Sequence, residues 1–440
     1  MNLGDFVATV VPPAEARAGA ARALVDTVGV TLAGASQPAA RMVQRVIEAD
    51  GRGPCRVLGT ALCASPGHAA LANGTAAHAL DYDDMCFVSL AHPSAPLVSA
   101  ALAAAETTGA SGPALLDAYV VGFELEARLG RAMNPRHYQR GWHCTSTLGT
   151  IGAAAAASRL FGLDAKAAGH ALAIAASEAS GLKENFGTMV KPLHAGLAAR
   201  NGVLAAQLAK AGMTASAAAI DGPQGFLAAM GSEQPSLDGV VADLGTRWEI
   251  LDTGITVKLY PSCAGTHPSL DALLDLKRRE RFSAADVEAV DIGVDPIVPT
   301  ILIYDRPSSG LEGKFSMAFC AAAAVVRGRV DLETFDPSQI ADPAMVAMQA
   351  RITMRIDPTL DGAAPPLTQA RVTVRLRDGR VLTACANGAR GYHDRPASSE
   401  ELAAKFMSCA TQAMSEAQAA ATLAALRDIE SVADVRSVHL

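Results

Sequence analysis

NGTAAHALDYDDMCFVSLAHPS, Asn73 to Ser94, sets two histidines, three aspartates and a tyrosine inside an otherwise alanine-rich, apolar chain. The spacing predicts a helix over His68 to Asp81 that runs into the acidic residues, and a second over Ala95 to Thr107. Burying carboxylates and imidazoles costs free energy unless a partner or a substrate compensates, so such a cluster on a buried helical hairpin marks a site. The helical texture extends outward in both directions. Helices are expected at Pro13 to Ala33, Gly112 to Met133, Ser146 to Phe161, Ala165 to Ser180 and His194 to Ala211, with turn signals such as FGLDA and KAGMT between them. GRGPCRVLGT has room for one minor strand.

Past Tyr260 the texture changes. Val287 to Val294 (VEAVDIGV) and Ala370 to Leu376 (ARVTVRL) alternate, and the second joins Arg380 to Ala384 through RDGR, whose Asp-Gly is a two-residue hairpin signal. Helices are expected here at His267 to Glu280, Phe315 to Val326 and Pro343 to Arg351, and a final helical run at Ser398 to Leu426. The fold class is therefore mainly α: an all-helical domain over residues 1–260, to which 395–440 return, and a smaller α+β domain over 261–394.

Half of the 440 residues are hydrophobic but only 4% are aromatic, so Ala, Leu and Val must fill the interior, which favours closely packed helices. A net charge of −7 with no Lys/Arg run excludes a phosphate-tracking stripe, hence no nucleic-acid partner is expected. Lysines are scarce, and each one in an apolar setting is a candidate cation for an acidic substrate. The eight cysteines form no CxxC pair, which fits reduced thiols and indicates neither a zinc site nor a disulfide framework. The N-terminus lacks a signal-peptide pattern. Val88 to Ala105 carries no Asp, Glu, Lys or Arg, but His92, Pro93 and Pro96 argue against a membrane span. A cytoplasmic protein with no membrane partner is expected.

Four further segments carry chemistry. In Asn73 to Ser94 itself, helical spacing puts His78, Asp81 and Asp84 on one face and turns Asp83 away; no HExxH or similar ligand spacing occurs, so the expectation is no metal. Gly141 to Gly152 (GWHCTSTLGTIG) places His143 before a helix that Thr145 or Ser146 would cap, with amides suited to an anion beyond. Met189 to Leu204 sets Lys191 and His194 just ahead of another helix, where an added anion would offset a cation placed against the macrodipole. Val257 to His267 puts Lys258 and Tyr260 before a proline turn at the domain boundary, and Gly313 to Cys320 opens an apolar helix with Lys314 and Ser316.

Taken in order, NGTAAHALDYDD, AHPS, GWHCTSTLG, KPLHAGLAARNG, VKLYPSCAGTHPSLDA and GKFSMAFCAAAA resemble the MmgE/PrpD family, which includes 2-methylcitrate dehydratase, cis-aconitate decarboxylase and iminodisuccinate epimerase. The resemblance implies a large all-helical domain with a smaller α+β lid domain, usually a homodimer, without metal or organic cofactor. It implies catalytic roles for Asp81, His92, His143, Lys191 and Lys258, and substrate contacts at Tyr82, Thr145, His194, Tyr260 and Phe319. Met85 stands where the decarboxylase and dehydratase have threonine, and Phe319 where the decarboxylase has tyrosine; the interval from Asp81 to His92 is one residue longer than in the decarboxylase. The DYDD version is closer to the epimerase-like branch.

The implied substrate is a small polyanionic carboxylate. Removing a proton or a carboxylate beside a carboxylate builds charge on a polyanion, so Lys191 and Lys258 are expected to hold it. His143 and His92 are the natural proton-transfer groups, and Asp81 orients a histidine or acts as a base. Dehydration and decarboxylation, epimerisation, and a non-catalytic polyanion-binding role are all compatible with these residues.

Overall fold

The computed structural model describes residues 1–233 and 235–440. The chain divides into two compact units. The first comprises Met1–Asn185, Met189–Val257 and Ser398–Leu440, and the second Phe186–Thr188 and Lys258–Ala397.

The first unit carries α1 (Leu3–Thr9), α2 (Ala14–Gly34), α3 (Pro38–Glu48), the two-residue strands β1 (Cys55–Arg56) and β2 (Cys63–Ala64), α4 (Pro66–His78), α5 (Ser94–Thr108), α6 (Gly112–Met133), α7 (Cys144–Leu160), α8 (Ala165–Glu178) and α9 (Val190–Lys210). In the second unit α10 (His267–Glu280), β3 (Val287–Val294), α11 (Met317–Arg327), α12 (Pro343–Gln349), β4 (Ile352–Ile356), β5 (Gln369–Leu376) and β6 (Val381–Asn387) follow. The chain then returns to the first unit with α13 (Ser399–Ala410) and α14 (Glu416–Arg427). The fold is mainly α. No helix among the described residues is long and apolar enough to cross a membrane.

Small residues set the spacing of the first unit. On α9, a Cβ added at Gly196 would lie 2.3 Å from the Leu71 carbonyl oxygen and from Thr75 Oγ1 on α4, and one at Gly202 2.5 Å from Ala153 Cβ on α7. Helix α9 therefore lies against α4 and α7 at backbone distance, which only residues without bulk permit. Ala153 to Ala157 of α7 are all fully buried, so alanine supplies the core that the composition demanded.

In the second unit the sheet runs β4-β3-β5-β6, with β4 parallel to β3 and the other pairs antiparallel. Val290, Ile292 and Val294 are buried with Val372, Val374 and Leu376, while Asp291 on the other face pairs with Arg355 at 2.8 Å. One covered face and one solvated face give the alternation read from the sequence.

Four expectations need correction, and one strand has no counterpart among them. The helix over His68 to Asp81 stops at His78, and the residues after it leave the helical path. The run Ser398 to Leu426 is two helices, because Ser398 with Glu401 and Ser415 with Gln418 each form a capping box that starts a new one. Neither Thr145 nor Ser146 caps α7: the N-cap is His143, and its ring makes no capping bond. The Asp-Gly turn is not a two-residue type, since only Gly379 is left-handed (φ 90) and the Asp378 carboxylate accepts from the Arg380 amide at 3.0 Å. Strand β4 (ITMRI) carries little local signal because it is short and mostly solvent-facing, and its partner β3 lies about sixty residues away.

Candidate active site

Close packing of α4, α7 and α9 brings three helix ends together. Helix α4 finishes at His78, α7 begins after His143, and α9 carries Lys191 and His194 in its first two turns. The loop from Asp81 to His92 supplies the remaining groups. Asp81 adopts φ 51, a left-handed conformation that aspartate tolerates better than most residues. That reversal sends the three aspartates in different directions, so the helical-face reading of Asp81 and Asp84 does not apply.

Lys191 Nζ donates to Asp81 Oδ1 at 2.6 Å and stands 2.9 Å from His78 Nε2. His78 Nδ1 lies 2.7 Å from Asp83 Oδ2. One proton arrangement satisfies all three contacts: neutral His78 donates through Nδ1–H to Asp83 and accepts from the Lys191 ammonium at Nε2. Burial is the main force holding His78 neutral, and Lys191 adds to it while Asp83 opposes, leaving its pKa near 4. Burial works against ionised Asp83, but His78 and His92 together outweigh it and hold the carboxyl well below its usual range.

His92 completes this side of the cluster, with Nδ1 3.4 Å from Asp83 Oδ2 and Nε2 3.9 Å from Asp81 Oδ1. Its backbone N–H donates to Thr145 Oγ1 at 3.0 Å, which ties the HPS segment to α7. The His78 ring lies 4.6 Å from that of His92 and 5.6 Å from that of His143. His143 Nδ1 is 3.0 Å from His194 Nδ1, so one ring donates and the other, necessarily neutral, accepts. Burial lowers both pKa values, with Lys191 and His78 adding to the effect; His194 falls to about 4.

Asp84 turns into the core and accepts from the Ser94 hydroxyl and, at 3.2 Å, the Ser94 amide, while Ser94 Oγ lies 2.6 Å from the Tyr119 hydroxyl. Burial pushes its carboxyl up to about 8. His78, Asp81, Asp83 and His92 also form a group with ligand atoms within 4.8 Å of one another. Two of those four members, His78 and Asp81, hold the Lys191 ammonium.

The structure thus brings Asp81, His92, His143, Lys191, His194 and Thr145 together in the first unit. Tyr82 lies in the same loop with its carbonyl on Lys405 Nζ at 2.7 Å. Lys258, Tyr260 and Phe319 belong to the second unit. Lys258 is fully buried there. The Tyr260 hydroxyl donates to Asp271 at 2.5 Å and accepts from Arg390 at 3.2 Å, on the wall of a cavity of about 880 Å³ that also includes Asp275 and Arg278. Phe319 is buried against Phe335, ring centres 5.8 Å apart.

Residues 2–237 match the profile of the MmgE/PrpD N-terminal domain, and residues 260–431 that of the MmgE/PrpD C-terminal domain. The chain belongs to the MmgE/PrpD family. Among its curated relatives, a cis-aconitate decarboxylase-like protein, oryM, of Aspergillus oryzae is 28% identical over 96% of this chain and 92% of the relative. The human cis-aconitate decarboxylase is 28% identical over 84% of this chain and 78% of its own, and that of Aspergillus terreus 26% over 90% and 85%. The family's C-terminal profile extends to residue 431, whereas by contact Ser398–Leu440 belongs with the first unit.

The sequence marks His78 and Asp83 as members of a polar cluster but assigns neither a role of its own, and the structure makes them part of the bonded frame around Lys191. Their five-residue separation crosses a helix end, so helical spacing conceals it. Lys405 is marked in the sequence only as one of few lysines, and nothing local points to Asp26 as its partner.

Proposed function

We propose that this MmgE/PrpD protein is a lyase acting on a small di- or tricarboxylic acid, by loss of carbon dioxide or water next to a carboxylate, using proton transfer alone. The curated relatives named above support decarboxylation of a cis-aconitate-like acid as the first reaction to try. The observation that carries the reading is Lys191, an ammonium held between Asp81 and His78 beside a neutral His143–His194 pair. A buried, directed cation stabilises the electron pair that departing carbon dioxide or an abstracted proton leaves next to a carboxylate. The imidazoles move the proton.

Charge sets a condition on this chemistry. With its imidazoles neutral, the cluster in the first unit sums to −1: Lys191 against Asp81 and Asp83. A polyanion therefore enters with protons, which convert imidazoles facing it to imidazolium and make them donors to the carbanion carbon. Lys258 stays in the proposal on its VKLYP motif, as do the lid role of the second unit and assembly as a homodimer.

The test is NMR of the purified protein in deuterated water with cis-aconitate, 2-methylcitrate and iminodisuccinate. Loss of carbon dioxide with one deuterium delivered to carbon in the product, or loss of water to give an alkene, supports the lyase. Exchange or inversion of iminodisuccinate alone replaces it with an epimerase. Binding of all three, seen as thermal stabilisation with no exchange or product, leaves a polyanion-binding protein instead.

A further inference from the structure

Lys405 lies on α13, 323 residues from Tyr82 of the Asp81 loop, yet its ammonium is buried with that loop. Nζ stands 2.7 Å from Asp26 Oδ1 on α2, donates to the Tyr82 carbonyl oxygen at 2.7 Å, and lies 4.1 Å from the centre of the Tyr82 ring. The side chains of Lys405 and Asp26 are 3% and 0% exposed. Burying both charges is expensive, and a pair of apolar residues of similar size would serve folding at least as well, so packing alone does not account for the pair.

Tyr82 is the residue between Asp81, which holds Lys191, and Asp83, which holds His78. The peptide whose oxygen Lys405 grips therefore links the two carboxylates of the Lys191 frame, one of them in a left-handed backbone conformation that needs outside support. We infer that Lys405, with Asp26 as its counter-ion, is a positioning residue: the C-terminal helix α13 fixes the Tyr82 peptide and through it the direction of the Lys191 ammonium and the His78 ring. Lys405 itself touches none of the groups assigned to proton transfer.

The inference rests on the proposed function for its kinetic readout but not for its spectroscopic one. Two double variants separate the donor from the charge. Asp26→Leu with Lys405→Met removes both charges and the donor to Tyr82; Asp26→Asn with Lys405→Gln removes both charges and retains an amide donor. The expected result is that both fold, that the first loses about 30-fold or more in kcat with KM within threefold, and that the second stays within about fivefold of the parent. Nitrogen-15 shifts of the His78 ring, measured without substrate, are expected to move in the first variant and not in the second. Retained kcat and an unmoved His78 signal in Asp26→Leu/Lys405→Met overturn the inference, as do equal losses in both variants. If no acid is turned over, the His78 signal decides alone, so failure of the functional reading stays separate from failure of this one.

Discussion

Asp83→Asn changes one atom's chemistry and keeps the shape, and the structure says what each amide orientation costs. With the amide oxygen toward His78, the charge-assisted bond at 2.7 Å becomes a neutral one, and the NH2 takes the place of Oδ1, a buried atom with no partner among the described residues. Losing charge assistance is worth about 1 kcal/mol and burying an unmatched donor about 1–3 kcal/mol. With the NH2 toward His78, the ring must take the Nε2–H tautomer, and that hydrogen then faces the Lys191 ammonium across 2.9 Å. Two opposed donors forfeit that bond as well, for about 3–5 kcal/mol. Either way the frame that aims Lys191 loses about 3 kcal/mol, or roughly 100-fold if the loss is felt in the transition state. The assay is kcat/KM on the acid identified by deuterium NMR, with thermal unfolding as the control for folding. Turnover within fivefold of the parent in a folded Asp83→Asn protein would refute the claim that the His78–Asp83 bond sets the geometry of Lys191.

Two pH effects follow from the same cluster. Asp84 has a folded-state pKa near 8 against 3.8 for the free side chain, so its contribution to stability is fully present below about pH 4 and is lost as pH rises through about 8; denaturant titrations between pH 5 and 9 should show this fall, and Asp84→Asn should flatten it. A slope unchanged in Asp84→Asn would assign it to another group. His143 and His194 are depressed in the free protein, and an entering polyanion raises both, so binding of tricarballylate near pH 6.5 should take up close to one proton, read by calorimetry in buffers of different ionisation enthalpy. Zero uptake would mean that the anion does not reach this pair.

The helices were legible because alanine-rich periodicity and caps are local signals: Gly112–Met133 and His267–Glu280 begin and end where the pattern says. The covered face of β3 and β5 was legible for the same reason. The site was legible as a set of residue types and not as a geometry. Helical spacing placed Asp84 with His78, whereas a helix end at His78 and one left-handed residue at Asp81 hand that place to Asp83. Contacts between distant segments left no local trace, so β4 against β3 and Lys405 against Asp26 had no pattern to announce them. The strongest hint was negative: in a chain with few lysines, Lys405 had no visible reason to sit in an apolar helix.

The seat of Gly196 and Gly202 on α9 bears on how this enzyme scaffold could be remodelled. A side chain can change rotamer to accommodate a new neighbour; two peptide backbones in contact cannot. A methyl group added at Gly196 acts as a shim against α4, and one at Gly202 as a shim against α7, each pushing that helix away from α9. Variation of the site is then better placed in the loop side chains, while the three helices serve as a jig whose tolerance is smaller than one carbon atom.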